Sequence, residues 1–372
     1  MYYMESSSSY VKNFCVMRKK IAIITTHYVP NYGNKLQNYA LQTLLKRLGH
    51  DVEVINDVRL WPDMNSWWAQ RKNILHCIIP YRQLPYHIKY TKFFLWSRNH
   101  ICYSKTKVHS VENLSYLADK YDLFVVGADQ IWNPEWKMFS NELGFAAFAR
   151  KEQKIAYAPS LGVSKIPKER ITEYIQWLKD WKALSCREDE GAALLKELTG
   201  KEVPVVLDPT LLFTRHEWDE IVPKRLVEEK YLLVYSVLPM RNEFRKYIEE
   251  FAQKSNLRVI SLSEGKYSAC GPTEFISLIK HASHLITDSF HGSVFAIHYH
   301  VHLTIINPAV LTRDTDKTSR LKTLFREIGK SNADFSHLFN EFIDFNWEKV
   351  DLLLSKEREK SMDYLINAIE KQ

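Results

Sequence analysis

The sequence predicts an α/β protein built from two Rossmann-like domains, each with a parallel sheet. Three observations carry this expectation. Short apolar strands alternate with helical segments along most of the chain. An Asp208-Pro209 break divides that alternation into two successive halves. A length of 372 residues exceeds what one hydrophobic core ordinarily serves.

The elements follow in order. IAIITT (21–26) is wholly apolar until its end, too short and too rich in β-branched residues for a helix. After the loop HYVPNYGN, the segment KLQNYALQTLLKRL places Leu36, Tyr39, Ala40, Leu44 and Leu48 at helical spacing, with Gly49 as the stop. DVEVI (51–55) completes a βαβ unit. YDLFVVG (121–127) and KIAYAPS (154–160) read as buried strands, and PKERITEYIQWLKDW as a helix. ALSCRE (183–188) reads as a strand, EGAALLKELTG as a helix closed by Gly200, and VPVVLDP (203–209) as the strand that ends the first half. YLLVYSV (231–237), LRVISLS (257–263), HLITD (284–288) and LTIIN (303–307) are the strands expected in the second half, alternating with helices. An amphipathic helix over about 347–370 closes the chain and can pack on either half.

The expected organisation is a first domain over 17–210 and a second over 211–372, with residues 1–16 a disordered extension ahead of Met17. Residues 59–110 interrupt the alternation with a segment rich in Trp, Tyr, Lys and Arg. Such a mixture suits a bilayer surface or a wall for stacking sugars. It suits equally a helical insertion that buries its aromatics against the first sheet.

Composition narrows the classes. At 45% hydrophobic and 26% charged residues the chain is globular. No apolar run approaches the roughly 20 residues of a membrane crossing, and the N-terminus has no apolar core of a secretion signal. Five scattered cysteines without a C-x-x-C pair fit a reducing cytoplasm and neither a disulfide framework nor a zinc site. A net charge of +7 admits acidic ligands or an anionic membrane surface but is too small for a nucleic-acid binder. His298, His300 and His302 have strand-like spacing where a helix should end, so no metal site is expected there.

Ligands of open α/β sheets bind beyond the carboxyl ends of the strands, where helix N-termini present free N–H groups. Three loops have that position. In the first, around Asn31, Gly33, Asn34 and Gln37, one glycine permits close backbone approach and the amides suit hydroxyls. It lacks G-x-G-x-x-G, which argues against a dinucleotide. In the second, Asp129, Gln130 and Asn133 beside Trp132 form a candidate pyranose-binding set, with an Asp cap and a core tryptophan as the alternative. In the third, Ser289 or Asp288 caps a helix whose first turn holds His291, a candidate acid–base group, or else a core histidine. Arg187 and Arg320 are the candidate anion-binding residues.

Taken together, NYGNKLQNYALQ, DLFVVGADQIWNP, IAYAPSLG, SCREDEGAALLKELTG, VVLDPTLL and DSFHGSVFAI resemble the polysaccharide pyruvyl transferase family, over residues about 20–330. The resemblance implies transfer of a pyruvyl group from phosphoenolpyruvate to sugar hydroxyls as a cyclic ketal, on a bacterial surface glycan or its precursor. It implies two Rossmann-type domains facing a cleft, the GT-B arrangement. Phosphoenolpyruvate is then a co-substrate, no cofactor or metal is called for, and the acceptor is a nucleotide- or lipid-linked saccharide. The enzyme is expected in the cytoplasm, with peripheral contact at the inner membrane leaflet.

By the same resemblance His291 is the motif histidine, and Arg187 and Arg320, with Ser289 and Gly292, belong to the donor side. Asn31, Gly33, Asn34, Gln37, Asp129, Gln130 and Trp132 line the acceptor side. The chain departs from the family pattern at Phe290, where many relatives carry an arginine, at Ala128 for a serine, and at His300-Val301-His302 for a Gly-x-Pro turn. The alternative functions are a GT-B glycosyltransferase using a nucleotide sugar and a non-catalytic glycan-binding member.

Overall fold

A computed structural model describes residues 17–26, 30–59, 84–307, 309–310 and 318–371. The expected extension at 1–16, residues 60–83 of the aromatic insertion and part of the polar loop before Arg320 lie outside the described residues. The first sheet has strand order β3-β2-β1-β4-β5, all parallel. Its strands are β1 Lys20–Ile24, β2 Asp51–Asp57, β3 Tyr103–Val108, β4 Leu123–Val126 and β5 Lys154–Ala156. The second sheet has order β10-β9-β8-β6-β7, parallel except for the antiparallel edge strand β10. It comprises β6 Tyr231–Tyr235, β7 Arg258–Ser261, β8 His284–Thr287, β9 His302–Ile306 and β10 Phe339–Phe342.

The helices of the first half are α1 Tyr32–Arg47, α2 Leu84–His100, α3 Ile171–Leu178 and α4 Asp189–Thr199, followed at the junction by the short α5 Pro209–Leu212 and α6 Arg215–Asp219. Those of the second are α7 Asn242–Ser255, α8 Pro272–Lys280, α9 Phe290–His298, α10 Ser319–Glu327 and α11 Trp347–Glu370. These are the two Rossmann-like units that the alternation predicts. Strands β4, β5, β6 and β8 are buried along their whole length, as strands covered by helices on both faces must be.

In each sheet the chain reverses its direction of strand addition once, between β1 and β4 in the first and between β6 and β8 in the second. At such a point two neighbouring loops leave the sheet in opposite directions and open a crevice. The carboxyl ends there lead into Thr25–Thr26 and Gly127–Asp129 on one side, and into Ser236 and Asp288–Ser289 on the other.

Two expected strands are corrected. Residues 183–188 and 203–209 form only single bridges, Ile155 to Ala183 and Cys186 to Val205. β5 has three residues and gives its neighbour little to pair with, while Pro204 and Pro209 withhold ladder N–H groups. Within the insertion, residues 84–100 form α2, whose Phe93, Phe94 and Trp96 are core while Tyr86 is exposed. Phe93 and Phe94 are buried, but the core they join is shared with the second half rather than confined to the first sheet. Lys92 pairs with Glu274 of α8 at 2.7 Å.

The halves meet across a closed apolar seam. Tyr32 of α1 stacks on Phe275 of α8 with ring centroids 4.2 Å apart, and its hydroxyl donates to the Cys270 carbonyl at 3.1 Å. Burying a ring of this size contributes about 2–3 kcal/mol. α11 then crosses back to the first half: Tyr364 donates to the Ala156 carbonyl at 2.9 Å, and Ser361 accepts from the Leu207 N–H at 3.0 Å. Among the described residues no helix is long and apolar enough to cross a membrane.

One carboxyl under that crossing helix makes the fold pH-sensitive. Glu327 of α10 is largely buried, with 8% of its side chain exposed. Burial, reinforced by the charges of Glu357, Asp189 and Asp208 and opposed by Arg326, pushes its pKa up to about 8. The folded chain therefore holds a proton that the unfolded chain releases near pH 4.3. Stability falls as pH rises from there towards 8, because the folded state binds more protons throughout that window. Glu327→Gln should flatten this slope, so that the variant gains on wild type between pH 5 and 8 in urea melts. Parallel wild-type and variant profiles would show that Glu327 titrates as an exposed carboxyl.

Candidate active site at the seam

The site assembles at helix N-termini. Behind β8, the Ser289 N–H donates to Thr287 Oγ1 at 3.0 Å, and Ser289 Oγ accepts from the Gly292 N–H at 3.1 Å. Ser289 is thus the N-cap of α9, and His291 lies in its first turn, where the unpaired N–H groups concentrate positive potential. Gly292 is required there, because a Cβ would stand 2.8 Å from Thr287 Oγ1. The His291 ring, in a residue 7% exposed, packs against Gly33 in the first turn of α1. A Cβ on Gly33 would fall 1.9 Å from His291 Nδ1. His291 Nε2 is 3.7 Å from Asp208 Oδ2, longer than a hydrogen bond.

Arg187 precedes α4 and is 3% exposed. Its Nη1 donates to Asp208 Oδ2 at 2.8 Å and its Nη2 to Asp129 Oδ1 at 3.3 Å, while Nε stands 3.8 Å from Glu188 Oε2. Its guanidinium lies 4.5 Å over the ring of Phe290. Burial works against the charged form of this arginine, yet Asp129, Asp208 and Glu188 outweigh it and hold the pKa above the usual value. Burial likewise opposes ionisation of Asp208, and His291 and Arg187 overcome it to hold that carboxyl far below the usual range. Arg320, in the first turn of α10, has its pKa lowered by burial and by the charge of Arg187, against the pull of Asp129, Glu188 and Asp208.

Buried polar atoms almost always have partners, so those lacking one mark a place where a partner is missing. Arg187 Nε, Glu188 Oε2, His291 Nε2 and Arg320 Nε are all buried without a hydrogen bond. The arginine and glutamate charges share one electrostatic cluster with Asp129 and Asp208, and His291 couples into it through Asp208.

The first-half loops are tied into the same cluster. Asn34 donates its amide to Asp129 Oδ2. Asn31 caps α1, and its side chain accepts from the Asn34 N–H at 3.2 Å. Gln37 is fully buried; it donates to Thr25 Oγ1 at 2.8 Å and accepts from the Ala128 N–H at 3.1 Å. It therefore fastens β1 to β4 at the switch point, with no face left for a sugar. Gln130 Oε1 accepts from Asn133 Nδ2 at 2.8 Å, and Gly162 lacks the Cβ that would press on it.

Trp132 is corrected outright as a stacking platform. It is fully buried, stacked on Phe145 at 4.9 Å with Trp181 against its edge, and its Nε1–H is bonded to the Gly144 carbonyl at 2.9 Å. Arg187 changes role as well: each terminal nitrogen donates one N–H to a carboxylate, at Asp208 and Asp129, so it builds the site, and Nε is its one nitrogen without a partner. The structure thus gathers His291, Arg187, Arg320, Gly33, Asn34 and Asp129, and it leaves Gln37 and Trp132 in supporting positions. It also adds Asp208 and Glu188. Asp208 reads as a chain break before a proline, and nothing in the sequence singles out Glu188. Glu188 Oε1 in fact accepts from Ser160 Oγ at 2.9 Å and from the N–H groups of Leu161 and Gly162 at 2.9 and 3.3 Å.

The comparisons give the chain a family and a fold. The family model for polysaccharide pyruvyl transferase matches residues 31–308, and the chain belongs to that family. No curated protein matches the chain. Among solved structures, one described as a UDP-N-acetylglucosamine 2-epimerase from Listeria monocytogenes is 8% identical, with a TM-score of 0.50 over 95% of this chain and 98% of that one. A UDP-N-acetylglucosamine 2-epimerase from Rickettsia bellii is 9% identical, with a TM-score of 0.47 over 95% of this chain and 98% of that one. At such identities the likeness concerns fold, and the first of them supports the GT-B-like pair of Rossmann units.

Gly33 offers a test of how tightly the seam is closed. Alanine would favour the helix by at most about 1 kcal/mol. Overpacking against the His291 ring costs about 1–3 kcal/mol. The clash should win, so Gly33→Ala is expected to lower the Tm and to loosen the seam in limited proteolysis. A Tm at or above wild type would mean that the ring steps aside without cost.

Proposed function

We propose that this protein transfers the pyruvyl group of phosphoenolpyruvate to two hydroxyls of a saccharide, forming a cyclic ketal and releasing phosphate. The observation that carries this reading is the meeting of His291, Arg187 and Arg320 around unpartnered polar atoms at facing helix N-termini. Membership of the pyruvyl transferase family supports it.

An anionic donor suits the first turns of α9 and α10, where helix N–H groups and Arg320 converge. In the reaction C3 of the enol gains a proton, and the first acceptor oxygen bonds to C2 as its O–H breaks. The bond from C2 to the phosphate oxygen then breaks, and the second hydroxyl oxygen closes the ketal as it loses its proton. One of the two hydroxyl protons is balanced by the proton gained at C3, and the other by hydrogen phosphate. Arg320 offsets charge on the departing phosphate, and His291 handles a proton at the acceptor. The acceptor is a nucleotide- or lipid-linked saccharide, the precursor of a bacterial surface glycan.

The test is phosphate release from phosphoenolpyruvate with a panel of nucleotide-linked and lipid-linked saccharides, with the ketal identified by mass spectrometry. His291→Ala should lower kcat by about 10²–10⁴-fold, the contribution of one positioned acid–base group. Glycosyl transfer from a nucleotide sugar, with no phosphate released from phosphoenolpyruvate, would establish the glycosyltransferase reading instead.

A further inference from the structure

The two oxygens of Asp208 have different partners. Oδ1 is used locally: it accepts from the Thr210 N–H at 3.0 Å and from the Thr210 hydroxyl at 2.7 Å, capping the turn that follows. Oδ2 faces the seam, accepting from Arg187 Nη1 at 2.8 Å and standing 3.7 Å from His291 Nε2. A cap alone requires a single acceptor, which an asparagine supplies equally well. Placing a full negative charge in a fully buried position is costly. The second oxygen therefore has a use beyond the cap.

His291 shows what that use is. Its Nε2 is buried, lacks a hydrogen bond, and has Asp208 as its near carboxylate. Gly33, at the N-terminus of α1, lies against the ring and is nearest its Nδ1. The remaining neighbours are Phe290, whose ring stands edge-on at 5.2 Å, and Arg187, which reaches the histidine through the same Asp208 oxygen. In a neutral imidazole one nitrogen carries the proton and the other accepts, and the choice is set by whatever faces each nitrogen. A carboxylate accepts only, so the proton belongs on Nε2. Catalytic hydrogen bonds are often long in the absence of substrate and tighten when it binds.

We infer that Asp208 is the positioning residue for His291, holding it as the Nε2–H tautomer and leaving Nδ1 as the reactive nitrogen on the side of the first half. The catalytic meaning of this inference rests on the pyruvyl-transfer reading. It assigns His291 as the base for the acceptor hydroxyl. As the C2=C3 π pair takes up a proton from water at C3, the acceptor O–H bond breaks, its electron pair forms the bond to C2, and its proton goes to Nδ1; the second hydroxyl returns a proton to water when it closes the ketal. Asp208 then stabilises the imidazolium, which returns the proton to the phosphate oxygen as that group leaves.

The test reads the ring directly, without substrate. In protein labelled with ¹⁵N-histidine, at a pH where the ring is neutral, the His291 nitrogens should show the Nε2–H pattern; the spectrum of His291→Asn identifies the signals. Asp208→Asn keeps the Thr210 cap and turns an amide N–H₂ towards Nε2, so the Nδ1–H tautomer should take over. If the variant releases phosphate from phosphoenolpyruvate at all, its kcat should fall about 10²–10⁴-fold, as for a histidine held in the wrong tautomer. An Nδ1–H tautomer in wild-type protein overturns the inference, even if Asp208→Asn fails to fold. An unchanged tautomer in a folded Asp208→Asn overturns it equally. Because the spectrum needs no turnover, absence of pyruvyl transfer would defeat the proposed function and leave the assignment of Asp208 standing on its own result.

Discussion

The structure depends on the ion cluster around Arg187. One guanidinium, 3% exposed, bonds Asp129 at the end of β4 and Asp208 at the junction of the two halves, and it lies over Phe290 at the start of α9. Three chain segments and both domains are fixed to one planar group. Removing one partner of such a cluster typically costs about 3–5 kcal/mol, since the charges left behind remain buried. The same expense explains the surrounding polar detail. Asp129 takes the Asn34 amide, Asp208 takes Thr210, and Glu188 takes Ser160 and two N–H groups, so each carboxylate is partly compensated before it meets the arginine.

Much of the fold was legible because its signals are local. Strands buried on both faces must be continuously apolar, and LFVV, YLLVY and HLIT nearly are. Capping is equally local: Asn31 and Ser289 each bond an N–H three residues on, and Gly200 ends α4 with φ 68°. The failures were of two kinds. Residues 183–188 and 203–209 have the composition of strands, but a strand also needs a partner, and β5 is too short to supply one. Trp132 has the same neighbours in sequence whether it stacks on a sugar or on Phe145, so local pattern could not separate the two.

The site was legible in its residues and illegible in its pairings. His291, Arg187 and Arg320 each stand out as a titratable or cationic group at a strand-to-helix junction. That Asp129 would meet Arg187 across 58 positions, and that Asp208 would stand between Arg187 and His291, follows only from the folded sheets. Asp208 shows the difficulty well. An Asp before Pro at a helix start is fully explained as an N-cap, and Oδ1 does that work, so nothing in the sequence called for a second role for Oδ2.

The charge balance says which groups are free to receive an anion. Arg187 and Arg320 contribute two positive charges against three carboxylates, so the cluster without ligand is not a general anion trap. Arg187 is already shared between two carboxylates, whereas Arg320 is held in its charged form against both burial and repulsion from Arg187. An anion placed at the first turn of α10 relieves that repulsion and adds the potential of the helix N-terminus, while one placed on Arg187 stands beside the charges of Asp208 and Asp129, which repel it. Phe290 fits the same balance: it stacks on Arg187 and adds no charge. On the proposed reading, donor recognition therefore falls to Arg320 and the helix ends, and the arginine that the sequence paired with it serves to hold the two halves and the histidine in register.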